Sequence, residues 1–135
     1  MARRKNALTF EDLTPQAQPL YIVDDFDSAA HLFLRDGKIR NISKHTQAFY
    51  VREFNVFRKA LEAQGISTDP GKITEDIIKE NVILHMMENG QKETSINCVL
   101  RALRALFNFL VREGYLLQSP MHKMTLISYI YLIIR

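Results

Sequence analysis

Thr94 to Gly114, TSINCVLRALRALFNFLVREG, decides how this chain folds. Ile96, Val99, Leu100, Leu103, Leu106, Phe107 and Leu110 recur every three or four residues, the spacing of one side of an α-helix. Thr94 or Ser95 is the expected N-cap, and Gly114 supplies the stop. An apolar side this broad must be covered by other elements, so the helix belongs to a packed domain.

The same grammar continues upstream. Ser43 precedes a long segment with Tyr50, Phe54, Phe57 and Leu61 on one side and Gly65 at its end. Asp69, Pro70 and Gly71 form a turn cluster, after which Thr74 caps a further helix, with Glu75 and Asp76 in its first turn and Gly90 as its stop. Earlier still, Asp24, Asp25 and Asp27 open a helix carrying Phe26, Ala29, Ala30, Phe33 and Leu34 and ending near Gly37. No strand-length alternation interrupts these segments, which predicts an all-α, four-helix bundle. Residues 1–23, with Pro15 and Pro19, read as an irregular leader, residues 24–121 as the helical domain, and residues 122–135 as a linker and apolar tail. Arg3, Arg4 and Lys5 read as a frayed, solvated terminus, with a basic arm as the alternative.

At 135 residues, 47% hydrophobic and 24% charged, the chain has the composition of a single globular domain. Cys98 is its only cysteine, which excludes an internal disulfide; the surrounding apolar run predicts a packed core thiol and a reducing, cytoplasmic setting. No apolar stretch follows the basic start as a secretory signal requires, and the run Leu126 to Ile134 is far short of the ~20 residues of a membrane-spanning helix. His31, His45, His85 and His122 lack metal-ligand spacing, and there is no glycine-rich phosphate loop or serine nucleophile elbow. No metal, cofactor or small-molecule substrate is therefore expected, and Asp24, Asp25 and Asp27 read as a capping cluster rather than an acid–base pair.

The formal net charge is +3, and its distribution is uneven. The second and fourth helical segments each carry +2, the first −1 and the third −2. In the fourth, Asn97, Arg101, Arg104 and Asn108 fall within a stripe about 60° wide, opposite the apolar side. In the second, Lys44, Arg52, Asn55 and Lys59 fall within about 80° of one another. Arginine and asparagine can grip base edges, while hydroxyls and amides at helix starts hold phosphate. Such residues gather at two helix starts, Ser43, Lys44, His45, Thr46 and Gln47 in one, and Lys92, Thr94, Ser95 and Asn97 in the other.

The ordered set SKHTQAFY (Ser43 to Tyr50), Phe54 and Phe57, ITEDI (Ile73 to Ile77), the Thr94 to Gly114 stretch, and Ser119 with Pro120 resembles the core-binding domain of tyrosine recombinases of the phage integrase family. The resemblance implies a SAM-like orthogonal bundle forming half of a C-shaped clamp on a recombination half-site. Its second and fourth helices would lie near the major groove of double-stranded DNA. Carried onto matching positions, it implies contacts from Lys44, His45, Thr46, Gln47, Lys92, Thr94, Ser95, Asn97, Arg101 and Arg104, to which the second stripe adds Arg52. Full-length members assemble as tetramers on DNA, so the domain alone is expected to be monomeric. The family's catalytic arginine setting, threonine-glycine-leucine-arginine, does not occur here, and Tyr129 and Tyr131 stand in the apolar tail without an activating constellation. The expectation is a DNA-binding domain that neither cleaves nor joins DNA. The competing expectation is a helical protein-interaction module whose basic stripes are solvated and whose apolar tail docks on a partner.

Overall fold

The computed structural model describes residues 21–124; the basic start, the leader prolines and the apolar tail with Tyr129 and Tyr131 lie outside them. Among the described residues the chain is entirely helical, with four helices and no strand. Helix α1 is Phe26–Ile39, α2 is Lys44–Ala63 and α4 is Glu93–Arg112. Helix α3 joins a turn of α-helix at Glu75–Ile77, a π-helical stretch at Ile78–Leu84 and a closing α turn at His85–Glu88.

Three of the caps follow the sequence. The Asp25 carboxylate accepts from the Ser28 N–H at 2.9 Å, Ser43 Oγ from the Thr46 N–H at 3.1 Å, and Thr74 Oγ1 from the Ile77 N–H at 3.2 Å. Each satisfies an N–H that lacks an intrahelical acceptor. Helix α4 departs from expectation: it begins at Glu93, with Lys92 at the cap position and no capping side chain, so Thr94 and Ser95 lie inside the first turn.

Helix α1 also differs, because Gly37 does not stop it. The chain stays helical to Ile39 and turns at Asn41, whose φ of 63° lies in the left-handed region that asparagine tolerates. Gly37 instead makes room for α2, since a Cβ there would meet Gln47 Nε2 at 2.5 Å. Gly65, Gly90 and Gly114 do sit in the left-handed region after their helices.

The core is built around α4, nine of whose residues are buried, each stabilising the fold by about 1.5–3 kcal/mol if large and apolar. Phe26 and Ala29 reach it from α1, Phe54, Phe57 and Leu61 from α2, and Ile78, Val82, Ile83 and Met86 from α3. Phe33 sits between Tyr50 and Phe109, edge-on to both at centroid distances of 4.8 and 5.7 Å. Helix α4 has the length and mean hydropathy, 1.2, of a membrane span, but its apolar side is the inside of this bundle. Met121 and Met124 pack on the same core. Tyr21 is tied to the exit of α4 by its N–H, which donates to the Gly114 carbonyl at 3.1 Å, and by its ring, 5.5 Å from that of Tyr115.

The π-helical stretch was not visible in the apolar spacing. Its wider turn is braced by α2: Gln64 Nε2 donates to the Asn81 carbonyl at 2.8 Å, and Asn81 Nδ2 donates back to Gln64 Oε1 at 2.9 Å.

Candidate nucleic-acid interface

Helices α2 and α4 meet in reversed order. Arg52, Glu53 and Val56 share a groove of 410 Å³ with Thr94, Ser95 and Cys98, whereas Gln47 and Tyr50 share a smaller cavity with Ala105, Asn108 and Phe109. The two helix starts that the sequence grouped as one contact surface therefore lie at different places along the seam. Twelve residues from Lys44 to Val56 correspond to about 18 Å of helix.

On α4, Arg101, Arg104 and Asn108 are exposed, as their spacing requires. Asn97 is not fully outside: it is half-buried and its Oδ1 is buried without a hydrogen-bond partner. Cys98, expected in the core, is half-buried and lines the groove, and Arg101 Nη2 donates to its Sγ at 3.8 Å. The reason is angular: Cys98 lies about 100° from Asn97 on the wheel, at the margin between the apolar side and the basic stripe. Lys92 and Thr94 are exposed and Ser95 half-buried, with neither hydroxyl used as a cap.

On α2, Lys44, His45, Arg52, Asn55 and Lys59 are exposed. Thr46 and Gln47 are half-buried and turned to internal partners. The Ser43 hydroxyl donates to Thr46 Oγ1 at 3.0 Å, and Gln47 Nε2 points at the Leu34 carbonyl, 3.5 Å away. Gln47 thus belongs to the contact between α1 and α2, which its i+3 spacing from Lys44 does not reveal.

The cations differ in what holds them. Among the described residues Lys44, Lys59, Lys92, Arg101 and Arg104 form no ion pair. Arg58 is engaged by Asn55, Glu62 and Asp27. Arg112 bonds Glu113 at 3.0 Å and Asp36 at 3.2 Å, clamping α4 to α1; the Glu113 carboxylate, with Asp36 behind it, holds the guanidinium above its already high ordinary pKa. Arg52 is intermediate: Nε donates to Glu53 Oε2 at 3.0 Å, its Cζ lies 5.6 Å from the Phe49 ring centroid, and its terminal nitrogens have no partner among the described residues.

A family model described as phage integrase, N-terminal SAM-like domain, matches residues 32–114. The chain belongs to that family. The match runs from the middle of α1 through α2, α3 and α4 to Gly114, well over half of the chain, and so covers the seam just described. No catalytic domain of the integrase family is found beside this N-terminal SAM-like domain. Membership places the chain among recombinase-family domains and points to DNA as the partner. Comparison with curated proteins and with solved structures gave no match.

The integrase domain also carries basic surface that the sequence reading missed. His31, Arg35 and Lys38 are exposed on α1 and line a groove with Leu34, Gln47 and Val51. Their spacing of four and three residues was the available signal, hidden when α1 was summed with Asp24, Asp25 and Asp27. Arg104 faces a different neighbour from Arg52, a cleft of 510 Å³ shared with Leu117, Ser119 and His122.

Proposed function

We propose that this SAM-like domain clamps the duplex of a recombination half-site without itself catalysing strand cleavage, acting as a monomer when isolated and working in the cytoplasm. The observation that carries the reading is the ridge of α4, where Arg101 and Arg104 are exposed with no acidic partner among the described residues. Unpaired guanidiniums on a rigid helix are suited to phosphate, because no internal ion pair must be broken when the anion arrives. Arg52 of α2 shares the groove with Thr94 and Ser95 at the start of α4. Lys44 and His45, about 12 Å from Arg52 along α2, would meet phosphates roughly three base pairs away at about 3.4 Å each.

Fluorescence anisotropy of a labelled duplex at increasing salt tests this. Four or five neutralised phosphates give a slope of log K against log salt of about −4. A slope near zero refutes the clamp and favours the protein-interaction reading.

A further inference from the structure

Within the DNA-binding reading, on which this inference rests, the cations of α2 and α4 need not share one task. A phosphate contact asks only for charge, and Arg101 and Arg104 supply it unpaired. Arg52 is arranged differently. Glu53 is the one buried charged residue among the described residues, 7% exposed, while the side chain of Arg52 is 63% exposed. A carboxylate in that setting needs a partner, and Arg52 Nε supplies it at 3.0 Å. The Phe49 ring flanks the guanidinium at 5.6 Å.

The pairing lowers the net charge that Arg52 offers to a polyanion, so a phosphate contact gains nothing from it. What it fixes is direction. With Nε committed to the Glu53 carboxylate, the plane of the guanidinium is set, and the fork formed by Nη1 and Nη2 has no partner among the described residues, on a side chain that lines the groove. That end-on fork matches two acceptors on one base edge, O6 and N7 of guanine in the major groove. Arg112 shows the contrast: its Nε is likewise bonded to a carboxylate, but Nη2 is taken by Asp36, so it has no free fork.

We propose that Arg52 is the base-reading residue of this interface, specific for guanine, and that Glu53 is a positioning residue that aims it. Lysine in place of Arg52 keeps the charge and loses the fork. Glutamine in place of Glu53 keeps the shape and loses the charge-assisted bond.

Selection of duplexes from a randomised library by the full chain, followed by anisotropy with the selected duplex, tests the assignment. The wild type is expected to select guanine at one position and to lose about 5- to 100-fold in affinity when that guanine is replaced by 7-deazaguanine, which lacks the N7 acceptor. Arg52→Lys is expected to bind with the wild-type salt slope and to lose the 7-deaza effect. Glu53→Gln should lose most of the effect while keeping its circular dichroism spectrum, and Glu53→Asp should recover part of it. Guanine dependence that survives in Arg52→Lys overturns the assignment, as does duplex binding by the wild type with a normal salt slope and no guanine preference. Absence of duplex binding by the wild type overturns the DNA reading itself, and this assignment with it.

Discussion

Replacing both Arg101 and Arg104 with alanine removes the two unpaired guanidiniums from the middle of the α4 ridge and nothing from the core, since both residues are exposed and neither forms an ion pair among the described residues. If each neutralises one phosphate, the double variant loses about 1.8 from the slope of log K against log salt, at about 0.9 per phosphate. The same relation makes the loss in affinity about 60-fold at about 0.1 M salt, shrinking to about 3-fold at about 0.5 M. Folding stability should move by no more than about 0.5 kcal/mol, as for surface substitutions with no buried partner. Anisotropy titrations at several salt concentrations, with a thermal melt of each protein, measure both quantities. A loss of affinity that is the same at every salt concentration would refute the electrostatic reasoning, because it would mean the arginines act through shape or folding.

Three further outcomes follow from the fold. Leu103→Ala, at a fully buried position of α4, should destabilise the domain by about 2–5 kcal/mol in urea unfolding, and a cost below about 1 kcal/mol would show that the core is not where it is described. Gly37→Ala should leave stability within about 0.5 kcal/mol of the wild type, because the gain in helix propensity offsets the shift of the Gln47 amide away from its long contact with the Leu34 carbonyl; Gly114→Ala, at φ 87°, should cost about 1 kcal/mol or more. The Ser28 side chain, followed by the Ser28 N–H, holds the Asp25 carboxyl below its ordinary value of 3.8, so this cap stabilises the fold above that pH and is lost as pH falls through the lowered value. An NMR pH titration should show amide protection in the first turn of α1 failing there, and Asp25→Asn should remove the pH dependence.

Much of the fold was legible because α4 states it twice, in the spacing of its apolar residues and in its terminal glycine. Ser43, Thr74 and the left-handed glycines 65, 90 and 114 likewise act through local chemistry that a sequence displays. Gly37 misled because glycine serves either to end a helix or to admit a neighbour, and only the approach of Gln47 distinguishes the two. The hydroxyls of Thr94 and Ser95 look like caps, yet the helix starts one turn position earlier, at Glu93. The candidate interface was legible by helix face but not by location. Spacing put Arg101, Arg104 and Lys44 outside, whereas the reversed pairing of α2 with α4 separated their starts, and Thr46 and Gln47 are engaged by Ser43 and Leu34. The ion pair that sets Arg52 apart from its neighbours depends on the burial of Glu53, a tertiary property with no signature in the residue pattern.

Helix α3 accommodates roughly one residue more across Ile78–Leu84 than an ordinary helix would, and the Gln64 and Asn81 amides hold that surplus in place. An in-frame loss of a single codon inside this stretch could be absorbed by rewinding it to α-helix, leaving the segments on both sides in their present orientation. The same loss inside α4 would turn everything beyond it by about 100° and expose half the interior. Length variation among relatives of this domain should therefore collect in the middle of α3 and be nearly absent from α4.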